Sequence, residues 1–200
     1  MRPPALRPAA AVFLLAAALS SAAACTKGFG AEPPPFLPIG GDFSLIGHDG
    51  ARFELTSLRG RVVLVFFGYS SCPDACPTTL SKLAAVSRRL GDDRARVKTL
   101  YISVDPERDT PEVLKTDLAS FDLDALGLTG TKAEIDKVVA QFGAAYEMTP
   151  TPDSAAKYTV AHTTWLYALD TKGRTRFRFR YEATVDEIVD GIRAILADHT

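Results

Sequence analysis

From Arg61 to Phe67 the chain reads RVVLVFF, a β-branched and aromatic run with no polar break, which predicts a strand buried on both faces. Downstream of Pro77, Leu80, Leu83, Val86 and Leu90 recur at helical spacing and share one face. Val97 to Val104, VKTLYISV, repeats the strand pattern. Asp109-Thr110-Pro111 marks a helix start, a polar cap followed by proline in the first turn. Another amphipathic helix runs from Thr131 to Phe142, with Ile135, Val138, Val139 and Phe142 on one side. Thr163 to Leu169 and Thr175 to Tyr181 read as strands joined at Lys172-Gly173. Thr184 to Ala197 closes the pattern as a helix with Val185, Ile188, Ile192, Ile195 and Leu196 on its apolar face. Ahead of all these, short alternating runs between Asp42 and Leu58 flank His48-Asp49-Gly50, a hairpin signal.

The order is hairpin, strand, helix, strand, helix, helix, strand, strand, helix. Strands separated by helices predict an α/β fold with a mixed central sheet and helices on both faces. The short turn between the last two strands makes that pair antiparallel. This is the arrangement of a thioredoxin-like fold with an N-terminal β-hairpin, and it assigns residues 39–200 to one domain.

The chain before Ile39 has a different character. Residues 1–8 carry Arg2 and Arg7 and no acid, and Ala9 to Ala24 holds only small or apolar residues. That stretch is shorter than the roughly 20 residues a bilayer span needs. A basic start, an apolar centre and a small-residue end describe an export signal over residues 1–24. Cys25 follows three alanines and resembles the cleavage box of a bacterial lipoprotein, in which the cysteine is lipidated. Ala22 stands where that pattern usually has leucine. Cleavage after Ala24 without lipidation and retention as a short anchor are the alternatives. All three readings place the domain on the extracytoplasmic side of the cell membrane, in the periplasm of a bacterium. Residues 25–38, with four prolines in the run Glu32 to Pro38, predict an extended tether.

Composition narrows the function classes. With 46% hydrophobic and 24% charged residues in 200, the chain has ordinary globular usage. Net charge is −1, and no long basic run points to nucleic acid. Losing Arg2 and Arg7 with the signal takes it from −1 to −3. Of 3 cysteines, lipidation of Cys25 would leave Cys72 and Cys76 as a pair of thiols in an oxidising compartment.

Cys72-Pro73-Asp74-Ala75-Cys76-Pro77 lies between the buried strand and its helix, where α/β sheets collect ligands. The prolines disfavour helical backbone at both cysteines. Both thiols are therefore placed on a turn at a helix N-terminus, where positive partial charge favours thiolate. Thiolates serve metal ligation and disulfide exchange alike; buried structural cysteines or a structural disulfide are the bland alternative. If the strand at Thr163 runs antiparallel to those ending at Phe67 and Val104, its start brings His162 to the same sheet edge. Asp105 ends a strand at that edge, as a plain turn residue or as a carboxylate that orients a ligand or tunes thiol acidity. Arg108 and Asp109 read as solvated loop charges, and His48 and His199 as exposed.

Two thiolates and one imidazole are a soft donor set. Structural zinc takes four protein ligands, one more than these. Calcium and magnesium take oxygen cages. Soft sulfur with imidazole suits copper, Cu(I) in particular. A thiol peroxidase on this fold would carry Thr or Ser three residues before its reactive cysteine, where this chain has Tyr69 and Pro73.

Four segments together, FFGYSSCPDACP (Phe66–Pro77), YISVDPERDTPE (Tyr101–Glu112), GLTGTKAEIDKVVAQFG (Gly127–Gly143) and YTVAHTTWLYALD (Tyr158–Asp170), resemble the Sco/SenC family in order and spacing across residues 39–198. The resemblance implies a membrane-tethered thioredoxin-like protein that binds one copper per domain, as Cu(I), Cu(II) or both. It implies Cys72, Cys76 and His162 as ligands, with Asp105 the acidic residue near the site. The implied role is assembly of the binuclear copper centre of cytochrome c oxidase. The oxidase subunit carrying that centre is the implied partner, beside another copper chaperone or a thioredoxin-like reductant. A thiol–disulfide reductase keeping the oxidase cysteines reduced is the alternative on the same pair. Family members often have Asp immediately before the histidine, where this chain has Ala161.

Overall fold

The computed structural model describes residues 35–152 and 156–198. The export segment, Cys25, most of the tether and His199 lie outside the described residues. Among the described residues, nine strands and four α-helices follow one another as β1 (Ser44–Gly47), β2 (Arg52–Glu54), β3 (Val62–Gly68), α1 (Ala75–Leu90), β4 (Val97–Ser103), α2 (Pro111–Leu118), β5 (Ala125–Thr129), α3 (Lys132–Gln141), β6 (Tyr146–Thr151), β7 (Lys157–His162), β8 (Leu166–Leu169), β9 (Thr175–Phe179) and α4 (Val185–Ala197).

Seven strands form one mixed sheet in the order β2-β1-β5-β4-β3-β8-β9. β3, β4 and β5 are parallel, as helical crossovers demand, and β8 runs antiparallel to β3 with Phe66 opposite Leu166. Every residue of β3 is buried. The pleat divides them: Val62, Leu64 and Phe66 pack with α1, α2 and α4, and Val63, Val65 and Phe67 with α3 and Val160 of β7. Helices thus cover both faces, and the fold is thioredoxin-like. Burying one such aromatic or aliphatic side chain contributes about 2–3 kcal/mol, so β3 is the strand on which the rest is built.

Helix starts follow the caps in the sequence. Thr131 and Thr184 each form a capping box, with Glu134 and Glu187 reaching back to the cap backbone. Thr110 accepts from Val113 N, with Pro111 opening α2. Leu37 N donates to Thr175 O at 2.7 Å, tying the incoming chain to β9.

Three parts of the structure differ from the sequence pattern. β5 is a strand that the apolar pattern does not announce. Gly127 at its centre sits where α2 comes closest; a Cβ there would stand 2.9 Å from Leu118 and 3.0 Å from Leu114. A small residue required by helix contact thus reads as loop. β6 and β7 form a separate antiparallel ribbon, Tyr146 opposite His162 through Thr151 opposite Lys157. Its exposed positions are mostly polar (Glu147, Thr149, Lys157 and Thr159), so it carries little apolar pattern. Consequently His162 ends β7 rather than immediately preceding a strand from Thr163, and β8 begins only at Leu166.

Candidate metal centre

β3 delivers the chain to the sheet edge at Gly68, where it must turn into α1. Cys72 lies in that turn, its amide donating to Tyr69 O at 3.1 Å. Cys76 is the second residue of α1 and is 2% exposed. Its helical backbone departs from the expectation set by Pro77. The first turn of a helix has no intrahelical use for its N–H groups, so Pro77 sacrifices no bond there.

Gly68 is required by this packing. A Cβ on it would stand 2.8 Å from the Cys76 sulfur and 2.8 Å from the Tyr101 hydroxyl. Both neighbours are buried, so one of them must shift to admit a methyl group. Gly68→Ala should therefore destabilise the fold by about 1–3 kcal/mol and displace the Cys76 sulfur. Chemical denaturation of the metal-free protein checks the first effect, and copper affinity the second.

His162 arrives from the far side. Residues alternate along β7, with Lys157, Thr159 and Ala161 exposed and Tyr158, Val160 and His162 turned inward. Ala161 therefore lies on the outer surface. The His162 ring is held edge-on by Phe66 (centroids 6.2 Å apart) and Tyr69 (5.8 Å). Its Nδ1 lies 3.0 Å from Thr163 O. A carbonyl only accepts, so Nδ1 carries the proton and Nε2 presents its lone pair. Nε2 is 3.5 Å from the Cys76 sulfur.

The Cys72, Cys76 and His162 donor atoms all lie within 4.8 Å of one another, and both cysteines are free thiols. The structure thus brings together three of the four residues that sequence reasoning put at this edge. Two sulfurs and an imidazole nitrogen with its lone pair exposed fit a soft ion of low coordination number. The Thr163 carbonyl is the outer hydrogen bond that such an imidazole needs.

Electrostatics differ from the helix-terminus expectation. Burial pushes the Cys76 thiol well up, overriding the dipole of α1. Metal-free Cys76 is therefore a neutral thiol that can donate to His162 Nε2, and ligation must release its proton. Burial also lowers the His162 pKa from its ordinary 6.5, partly opposed by the Thr163 carbonyl. The unfolded chain then takes up a proton before the folded one does. Stability from this group is complete above the ordinary value and is lost as pH falls through 6.5. Between about pH 7.5 and pH 5.5, the thermal midpoint of reduced, metal-free protein should fall further for wild type than for His162→Gln. His48, lowered in the same direction by burial, leaves both with a common slope.

Other residues fall elsewhere. Asp105 is fully buried, but its carboxylate accepts from Tyr158 Oη (2.7 Å) and from Arg108 Nε, and it is not one of the clustered donors. Arg108 and Asp109 are not solvated charges. Asp109 is 0% exposed and accepts from Ser70 N (3.0 Å), Ser70 Oγ (2.5 Å) and Ser103 Oγ (2.6 Å). Arg108 reaches Asp105 and the backbone of β7. Beside near partners in Ser103 and Asp105, they hold Ser70 and Tyr158 across 39 and 50 residues, which no local pattern reveals. His48 is half-buried, its Nδ1 accepting from Gly127 N at 3.2 Å, so the β1–β2 turn is docked on β5.

Fold and site together define a thioredoxin-like domain with a Cys-Cys-His centre at the carboxyl edge of its parallel strands. The SCO1/SenC family model matches residues 31–197, and the chain belongs to that family. It is 34% identical over 154 residues to a SCO2-like protein of Rickettsia prowazekii (strain Madrid E), covering 77% of this chain and 75% of that one. Bradyrhizobium japonicum ScoI, solved with copper bound, is similar at 40% identity and a TM-score of 0.72, over 78% of this chain and 99% of that one. Yeast Sco1 with copper bound is similar at 30% identity and a TM-score of 0.75, over 82% and 91%.

Proposed function

We propose that this protein binds one copper ion through Cys72, Cys76 and His162 and delivers it during assembly of the binuclear copper centre of cytochrome c oxidase. The observation that carries this reading is the convergence of three soft donors, from two distant segments, within 4.8 Å at one sheet edge. Copper-bound structures of similar proteins support it. The site is suited to transfer: Cys72 and His162 are only half-buried, so an incoming ligand can displace them one at a time, while buried Cys76 holds last. The export-signal pattern of residues 1–24 and the Pro-rich stretch after it support a location at the outer face of the cell membrane, with Cys25 as the lipid anchor in this reading. Among the described residues no helix is long and apolar enough to cross a membrane. The test is titration of the reduced protein with Cu(I) against a competing chelator, followed by mixing with the apo copper domain of the oxidase subunit. Stoichiometric uptake and metal transfer are expected; failure to take up copper overturns the reading.

A second reading uses the same thiols. Two free cysteine sulfurs within 4.8 Å can form a disulfide, passing two electrons and two protons to a partner disulfide. The reduction potential of the Cys72–Cys76 pair decides it: a potential higher than that of the oxidase cysteines rules out the reductase role.

A further inference from the structure

The loop between β4 and α2 touches both segments that carry the sulfur and nitrogen donors. Asp109, at its end, holds Ser70 in the cysteine turn. Arg108, one residue earlier, holds the β6–β7 ribbon. Its Nη1 donates to Ala156 O (3.1 Å) and Tyr158 O (3.2 Å), and its guanidinium carbon lies 3.9 Å from the centre of the Tyr158 ring. It also lies 5.6 Å from the centre of the Tyr69 ring, which packs on His162. Asp105 joins the two, accepting from Arg108 Nε through one oxygen and from Tyr158 Oη through the other.

The two carbonyls that Arg108 spans flank Lys157, whose φ of +62° is the one left-handed non-glycine conformation among the described residues. Such a residue costs about 1–2 kcal/mol and persists only where its surroundings fix it. Arg108 supplies that constraint at the first residue of β7. β7 then runs from Tyr158 to His162 with both side chains on its inward face. Fixing the start of so short a strand fixes where its last residue delivers the imidazole.

We propose that Arg108 is a positioning residue for His162: by clamping the start of β7 to the β4–α2 loop it sets the imidazole against the two sulfurs. The inference rests on the copper reading above and adds a residue that touches no donor atom. Removing an outer partner of a metal ligand typically costs about 10–100-fold in affinity, and Arg108→Met should lower Cu(I) affinity by about that factor. Arg108→Lys keeps the charge but lacks a planar fork to span two carbonyls and a carboxylate, so it should recover only part of the loss.

The test is a double-mutant cycle on the full chain, with a second readout that needs no metal. Cu(I) affinity is measured for wild type, His162→Ala, Arg108→Met and the double variant. If Arg108 acts through His162, Arg108→Met has little further effect once His162 is alanine; an undiminished effect in that background overturns the proposal. In metal-free protein, hydrogen exchange at the amides of β7 should speed up in Arg108→Met while β3 keeps its protection; unchanged β7 exchange also overturns it. Tyr158→Phe, which removes only the hydroxyl bond to Asp105, should shift both readouts the same way by less, and serves where Arg108→Met folds poorly. If His162→Ala alone leaves affinity unchanged, the copper site itself is wrong and the clamp has nothing to position. If that variant weakens binding but the cycle is additive, only the clamp is wrong.

Discussion

Substitution of His162 by alanine is expected to lower Cu(I) affinity by about 100-fold or more, and substitution of either Cys72 or Cys76 by serine to abolish stoichiometric binding. The size follows from the donor set. Three atoms converge on one point, and no other group of three or more His, Cys, Asp or Glu side chains able to hold an ion is found among the described residues. Loss of an outer partner alone typically costs 10–100-fold, so loss of a ligand costs no less. The cysteines are the softer donors and carry the charge that neutralises the ion, so their loss is the more severe. His162→Ala should leave the fold near wild type, because the imidazole is half-buried and its two protein hydrogen bonds go to the adjacent Thr163 carbonyl and to the weakly donating Cys76 thiol. Competition titrations of the reduced variants against a Cu(I) chelator check the ranking. Binding by both serine variants equal to wild type would place copper elsewhere.

The largest effect on stability falls on Asp109. Asp109→Ala removes the acceptor for the Ser70 amide, the Ser70 hydroxyl and the Ser103 hydroxyl, with Asp109 and Ser103 fully buried and Ser70 half-buried. Each stranded donor costs about 1–3 kcal/mol, partly offset because a buried carboxylate no longer has to be desolvated. A net loss of about 3–5 kcal/mol is expected, read as a fall in the thermal midpoint of roughly 10 °C at the usual few degrees per kcal/mol for a domain of this size. Asp109→Asn keeps one carbonyl acceptor and should lose less. Because Ser70 lies two residues before Cys72, copper affinity should fall in both variants in the same order. A midpoint unchanged in Asp109→Ala would mean that these hydrogen bonds are not made in solution.

Much of the fold was legible because the core strands and helices carry their burial in their pattern. β3 is apolar throughout, and α4 repeats Ile188, Ile192 and Ile195 at helical spacing. The helices expected from Thr131 and Thr184 do begin there, each behind a capping box. What stayed hidden depends on tertiary contact. β5 needs a glycine where α2 presses on it, and β6–β7 is mostly polar on its outer side. The Cys-Cys-His convergence was expected from a strand antiparallel to β3 starting at Thr163; that strand starts only at Leu166, and His162 reaches the same edge as the last residue of β7. The Thr163 carbonyl that sets the imidazole tautomer, and the charges of Asp105, Arg108 and Asp109, were not legible. Buried charged residues in a loop look like solvated ones until their partners, dozens of residues away, are known.

X-ray absorption at the copper edge on the loaded protein tests the central claim most directly. Two sulfur scatterers and one imidazole nitrogen are predicted in the inner shell, with the imidazole signal missing from His162→Ala. An inner shell of oxygen and nitrogen alone, or an imidazole signal that survives in His162→Ala, would contradict it.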